Sequence, residues 1–160
     1  MLIFTDIDGT LFNNEHRADG IPQDKSTTQC WHEFNARHIY DTPIAYRIDL
    51  LKLLALTNTV VYVTSRTSAF FDSTLAQLNM AGCPTGRLLM RGSGDNRHPA
   101  DFKISQIKAL IWNSDEFGFI DDDKAVCARV AHEFGNARII KVPSQCCAYL
   151  ASSRGLRDER

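Results

Sequence analysis

The chain opens on four apolar and β-branched residues, Leu2-Ile3-Phe4-Thr5, and turns abruptly polar at Asp6-Ile7-Asp8-Gly9-Thr10. A short apolar run of this kind reads as a buried strand. Runs of the same type recur at Thr59-Val60-Val61-Tyr62-Val63, Arg87-Leu88-Leu89-Met90-Arg91, Phe117-Gly118-Phe119-Ile120 and Ala137-Arg138-Ile139-Ile140-Lys141-Val142. Between them the apolar positions change to a helical period. Ile44, Ile48, Leu51 and Ala55, widened by Leu50 and Leu54, predict a helix that Thr42-Pro43 opens as N-cap and first-turn proline. A second helix is predicted from about Ser68 to Met80, with Phe71, Leu75 and Leu78 inward and Gly82 and Pro84 as its stop. A third, from Asp101 to about Asn113, carries Ile104, Ile107, Leu110 and Ile111. A fourth carries Val126, Val130 and Phe134 and closes at Gly135.

Alternating strands and helices predict an α/β fold: a three-layer, Rossmann-like arrangement with a central five-stranded parallel sheet and helices on both faces. One stretch breaks the alternation. Residues 13–42 are polar and without clear period, too long for a structureless loop in a compact domain unless they form a functional flap. The expected organisation is one domain over residues 1–150, with 13–42 as a flap inserted after the first strand. A tail follows over 151–160, frayed from Ser152. That leaves no room for a large cap domain, so the site is expected to be fairly open.

Composition narrows the function classes without choosing one. The 160 residues are 44% apolar and 23% charged, ordinary for a globular protein. A net charge of -1 gives no global field toward nucleic acid or acidic membrane, so any nucleic-acid contact must be local. Five cysteines without a C-x-x-C pair argue for reduced thiols and a cytoplasmic protein. The amino terminus does not read as a signal peptide, and no apolar stretch reaches membrane-spanning length. Cys127 is expected to pack as a small apolar residue, and the adjacent Cys146 and Cys147 have no assigned role.

The chemistry lies where the strands end. In an open α/β sheet the carboxyl edge of the strands is the ligand-binding edge. The first strand delivers Asp6 and Asp8 there, the second Thr64, and the fourth Asp121 and Asp122, while the third helix adds Lys103 in its first turn. Carboxylates from two strands make an oxygen-rich cup suited to Mg²⁺. A hydroxyl and a lysine beside it would grip the remaining oxygens of a phosphoryl group. Each residue also has a plain reading. Asp8-Gly9 is a common turn dipeptide, Thr64-Ser65 would cap the next helix, Lys103 would be solvated, and the Asp121-Asp122-Asp123 run would be surface acid with Asp123 as N-cap. A cation in a helix's first turn is disfavoured by the helix dipole unless an anion sits beside it, which weighs against the plain reading of Lys103.

The order Asp-x-Asp-Gly-Thr, strand-Thr, helix-Lys and strand-Asp-Asp resembles the haloacid dehalogenase superfamily, with all four of its motifs present. The resemblance implies an aspartyl-phosphate mechanism. Asp6 would attack phosphorus. Asp8 would protonate the leaving oxygen and then activate water. Mg²⁺ would be held by Asp6, the Asp8 carbonyl, Asp121 and Asp122, and Thr64 and Lys103 would hold the phosphoryl oxygens. Val63-Thr64-Ser65-Arg66, Gly94-Asp95-Asn96-Arg97, Asp101-Phe102-Lys103 and Ile120-Asp121-Asp122 are further similar to the phosphatase domain of phage-type polynucleotide kinase. That likeness adds Ser65, Arg66 and Arg97 as substrate-binding candidates. Ser65 stands where a glycine is usual, residues 13–42 match nothing convincingly, and no G-x-x-x-x-G-K-[ST] loop exists for a kinase half.

The substrate stays open between nucleic-acid 3'-phosphate ends and small nucleotide or sugar phosphates. Arg66, Arg87, Arg91, Arg97 and His98 form a basic track toward a phosphodiester backbone or an ordinary solvated surface. Trp31, Phe34 and Tyr40 stack on a base or, the reading favoured, pack the flap onto the domain. A receiver-like phospho-accepting module is the alternative from another class. Its acceptor aspartate lies on the third strand, where Arg87–Arg91 ends without one. His16, His32, His38 and His132 lack metal-ligand spacing, and Gly92-x-Gly94 marks a turn. Oligomeric state is not legible.

Overall fold

The structure is a computed structural model and describes residues 1–112 and 115–144. The expected end of the third helix at Asn113, Cys146 and Cys147, the end of the 1–150 domain and the tail lie outside the described residues. In chain order the elements are β1 (Leu2–Thr5), β2 (Phe12–Asn13), α1 (His32–Ala36), β3 (Thr42–Pro43), α2 (Ala45–Ala55), β4 (Thr59–Thr67), α3 (Phe71–Met80), β5 (Gly86–Arg91), α4 (Pro99–Lys108), β6 (Phe117–Asp121), α5 (Lys124–Glu133) and β7 (Ala137–Lys141). Short 3-10 helices add Glu15–Gly20, Arg37–Tyr40 and Ser68–Phe70.

Five strands form a parallel sheet in the order β5-β4-β1-β6-β7, as the alternation predicts. β1 lies at its centre, with Leu2 opposite Thr59 on one side and Phe117 on the other. The chain fills one half of the sheet through β4 and β5, then crosses β1 to fill the other. The order therefore reverses at β1, and a crevice opens beyond its carboxyl end. Asp6 and Asp8 follow that end.

The period of two along each strand splits the core into two layers. Ile3, Val60, Tyr62 and Ile120 point to one face, where Ile48 and Leu51 of α2 and Leu78 of α3 cover them. Phe4, Val61, Val63, Phe117 and Phe119 point to the other, against Ala100, Phe102 and Ile107 of α4 and Val126, Cys127 and Val130 of α5. Cys127 thus packs as an apolar residue. Each fully buried side chain of this size contributes about 1.5–3 kcal/mol, so both layers hold the sheet firmly beneath the crevice. No helix among the described residues is long and apolar enough to cross a membrane.

Several local expectations give way to tertiary pairing. Thr42-Pro43 does not open a helix. It pairs as β3 with Phe12–Asn13, and α2 begins at Ala45 behind Ile44, which makes no side-chain cap. The flap is not structureless, since it holds two 3-10 turns and the five-residue α1. β4 runs on to Thr67, past the expected stop at Val63. On α3, Phe71 and Leu75 are exposed while Thr74 and, as expected, Leu78 are buried. α4 starts two residues early at Pro99, with the His98 side chain accepting from Ala100 N, which moves Lys103 from the first turn to the second. Leu110 and Ile111 follow its last turn and still pack on the core. Asp123 caps α5 as expected, accepting from Ala125 N at 2.7 Å and Val126 N at 3.1 Å. Gly94 takes a left-handed φ of 82° in the expected turn.

Candidate active site

The floor of the crevice is built by the Asp6–Thr10 turn. Asp6 N continues the sheet ladder to Ile120 O at 2.9 Å, and Ile7 drops into the core, so the two flanking acids project together above it. Gly9 is required by geometry. Its φ is 72°, and a Cβ there would stand 2.5 Å from Asp122 Oδ2. The turn is tied from beneath by Arg47, which is buried and donates to Gly9 O at 2.7 Å, Thr10 O at 3.1 Å and Pro143 O at 2.6 Å. Arg47 thereby links the loop after β1 to the segment after β7.

Two charged clusters stand side by side on this floor. In the first, Lys103 Nζ donates to Asp6 Oδ1 at 2.7 Å and to Asp121 Oδ2 at 2.6 Å. Thr10 Oγ1 donates to Asp122 Oδ1 at 3.2 Å and accepts from Asp122 N at 3.0 Å. Oxygens of Asp6, Asp121 and Asp122 lie within 4.8 Å of one another, a donor set that could hold a metal ion. Three carboxylates share one ammonium here. Burial, reinforced by the neighbouring acids, pushes the proton affinity of Asp6 and Asp122 up. Asp121 and Asp6 keep Lys103 firmly charged despite its burial.

In the second cluster, Asp8 accepts from Arg66 Nε at 2.9 Å and Nη2 at 2.8 Å, and from Arg17 Nη2. Arg17 continues to Asp41, with Nε donating to Oδ1 at 2.9 Å and Nη2 to Oδ2 at 2.6 Å. His16 Nε2 meets the same Oδ1 at 2.8 Å. Arg66 braces α3 through Gln77 Oε1 at 2.7 Å. The two guanidiniums hold the Asp8 carboxyl far below the usual carboxylate range against the opposing effect of burial. Arg66 reaches Asp8 because the β4–β5 register shifts between Thr64 and Thr67, a bulge that frees Ser65 and Arg66 from the ladder.

A cavity of about 750 Å³ opens above both clusters. Asp6, Asp8, Ser65, Arg66, Arg97, Lys103, Asp121 and Asp122 all line it. Thr64 does not. It is fully buried beneath, 3.4 Å from Asp8 Oδ2, and accepts from Arg66 N. Of the arginine track, Arg66, Arg91, Arg97 and His98 reach the cavity. Arg87 is exposed and four residues back along β5, roughly 13 Å from that edge. Arg97 spends its fork on Asp95, at 2.9 and 2.6 Å. Arg91 is buried and donates to the Asp95 and Arg97 carbonyls and to Ser65 Oγ.

The flap roofs one side. Thr28 N donates to Asn96 Oδ1 at 2.8 Å, and Gly94 N donates to Thr28 Oγ1 at 3.1 Å. The three aromatics separate: Trp31 and Phe34 line the cavity, Phe34 buried under Arg17, while Tyr40 is 69% exposed. Sequence reasoning missed Arg17, Asp41, Arg47, Asn35 and Lys25. For Arg47 a signal existed, a charge on the buried stripe between Ile44 and Leu51. The others carried none.

The sheet order, with the carboxyl-edge acids and the buried lysine set on it, belongs to a fold shared with haloacid dehalogenase-like structures. No family model matches the chain, and no curated protein sequence matches it significantly. Solved structures do. A chain of the Pnkp1/Rnl/Hen1 complex superposes with a TM-score of 0.71 at 21% identity, over 89% of this chain and 46% of that one. The haloacid dehalogenase-like family hydrolase SP0104 from Streptococcus pneumoniae gives 0.63 at 18% identity, over 92% and 90%. The HAD domain of effector protein Lem4 from Legionella pneumophila gives 0.55 at 12%, over 98% and 94%. This chain spans less than half the length of the Pnkp1/Rnl/Hen1 chain. The resemblance to haloacid dehalogenase phosphatases and to the phosphatase domain of polynucleotide kinase holds at the level of fold.

Proposed function

We propose that the chain is a Mg²⁺-dependent phosphomonoesterase that acts through an aspartyl-phosphate on Asp6, with nucleic-acid 3'-phosphate ends or nucleotides as substrates. The observation that carries this reading is the cup of Asp6, Asp121 and Asp122 around Lys103, beside Asp8 on the floor of one cavity. Residues 1–150 act as one phosphatase domain in the cytoplasm, with 13–42 as its substrate-side insert. A fold shared with a chain from an RNA repair complex supports the nucleic-acid reading.

Asp6 attacks phosphorus in line, forming the acyl-phosphate bond as the bond to the leaving oxygen breaks. Asp8 gives that oxygen its proton. In the second half Asp8 takes a proton from water, which attacks phosphorus, releasing inorganic phosphate and restoring Asp6. The two arginines hold Asp8 ionised and so ready for this second half. For the first half it must be protonated, and a phosphate dianion arriving beside it raises its proton affinity. Ser65 and Lys103 hold phosphoryl oxygens, Thr64 steadies Asp8 from beneath rather than meeting the substrate, and Arg66, Arg91 and Arg97 carry positive charge along the wall. Asp6, Asp121, Asp122 and the Asp8 carbonyl would hold Mg²⁺, a fit supported by three carboxylates facing a single ammonium. When bound it supplies neutralisation of the charge on the transferring phosphoryl group.

A small phosphate ester is the second reading, favoured by the flap's roof over the cavity. The test is Mg²⁺-dependent phosphate release from a 3'-phosphorylated oligonucleotide against nucleoside monophosphates and sugar phosphates, with Asp6→Asn as control. Preference for the oligonucleotide supports the nucleic-acid reading; preference for sugar phosphates removes it. A stable phospho-protein without turnover would favour the receiver-like alternative.

A further inference from the structure

The flap lines the cavity with several side chains that the phosphatase chemistry does not use, Trp31 and Asn35 among them. Trp31 and Asn35 stand four residues apart, which puts them on one face of the short helix α1 and its preceding turn. Trp31 is half-buried, and its ring is buttressed edge-on by Phe34 at 5.4 Å. Asn35 is only 6% exposed and lines the same cavity, yet its side-chain amide makes no hydrogen bond among the described residues. The amide is thus left open to a space large enough for a ligand.

A five-residue helix has no stability of its own, so something must hold this pair in place. Arg17 Nη1 donates to Phe34 O at 3.0 Å, with its guanidinium 4.3 Å above the Phe34 ring. The His38 ring, through Nδ1, bonds Asn35 O at 2.7 Å. Arg17 also pairs with Asp8. The wall is thus fixed to the reacting end of the cavity through one buried side chain.

Resting on the phosphatase reading, we propose that Trp31 and Asn35 form a nucleobase subsite, which makes the substrate a nucleotide or a nucleotide at a chain end rather than a sugar phosphate. The indole supplies a stacking face, tolerant of any base. The Asn35 amide supplies a donor and an acceptor for a base edge. Thr28, three residues before Trp31, ties the same flap to the loop at Gly94 and Asn96.

Trp31 and Trp112 are the two tryptophans of the chain, and Trp112 is 83% exposed. An Asp6→Asn/Trp112→Phe protein therefore reports Trp31 fluorescence alone, without turnover. Titrated with a nucleoside 3'-monophosphate it should show saturable quenching, and with ribose phosphate none. Adding Asn35→Ala should weaken the nucleotide's apparent affinity by about tenfold. Equal response to both ligands, or none to the nucleotide, overturns the subsite. In otherwise wild-type protein, Trp31→Ala should raise KM about tenfold for an oligonucleotide ending in a base-bearing 3'-phosphate nucleotide, with kcat little changed. It should leave the same oligonucleotide with an abasic end unaffected, and Trp31→Phe should restore most of the loss. Equal losses on both ends would mean that Trp31 only packs the flap, and would overturn the proposal. If no phosphate ester turns over at all, the phosphatase reading falls, and the subsite is decided by the fluorescence titration alone.

Discussion

The two charged clusters on the cavity floor are neighbours with opposite balances. Around Lys103 three carboxylates face one ammonium, and burial pushes the proton affinity of Asp6 and Asp122 up. Around Arg17 and Arg66 two carboxylates face two guanidiniums, and Asp8 stays ionised. Buried charge persists only when compensated. The balanced cluster is complete in itself and works as a strut joining β1, the flap and β4. The acid-rich cluster has more carboxylates than its one ammonium balances, a donor set that could hold a metal ion.

This contrast can be broken at either cluster. The largest effect falls on chemistry. Asp6→Asn should abolish phosphate release while the protein melts no lower in metal-free buffer, because a crowded carboxylate has been neutralised; retained turnover would exclude Asp6 as nucleophile. The balanced cluster should respond in stability instead. Arg17→Met leaves Asp41 and Asp8 short of a partner and should cost about 3–5 kcal/mol in denaturant unfolding. An Arg17→Met/Asp41→Leu double variant should recover part of that, and a full-sized loss in the double variant would mean that Arg17 acts mainly through the Phe34 contact.

Metal should distinguish the clusters next. Saturating Mg²⁺ should raise the melting temperature by about 5 °C. Asp121→Asn should remove that rise, whereas Arg66→Lys should keep it. A rise that survives in Asp121→Asn would place the ion elsewhere. The smallest effect concerns His38, buried behind the strut with its Nδ1 on Asn35 O. Burial, and secondarily the Arg66 charge, pulls its pKa from 6.5 down to about 4. Between those values the unfolded chain binds the proton first, so stability should be full above pH 6.5 and decline as pH falls toward 4. His38→Leu should flatten that slope, and an unchanged slope would assign it to other groups.

Much of the framework was legible along the chain because it follows from local period and position. Alternating apolar runs place five strands, and a buried strand ending in acid puts Asp6, Asp8, Asp121 and Asp122 at one edge whatever the details of packing. Asp123 as a helix cap is equally local, satisfied by the next two or three amides. Tertiary structure alone decided the roles of Arg17, Asp41 and Arg66. Arg17 and Asp41 meet across 24 residues, and Arg66 and Asp8 across 58. An arginine in a polar stretch reads as solvated because charged side chains default to the surface, and only a distant carboxylate reverses that. The same holds for Thr42-Pro43, whose local preference for opening a helix yields to pairing with Phe12–Asn13. It holds for Trp31 and Asn35 too, since a five-residue helix points nowhere until Arg17 and His38 fix it.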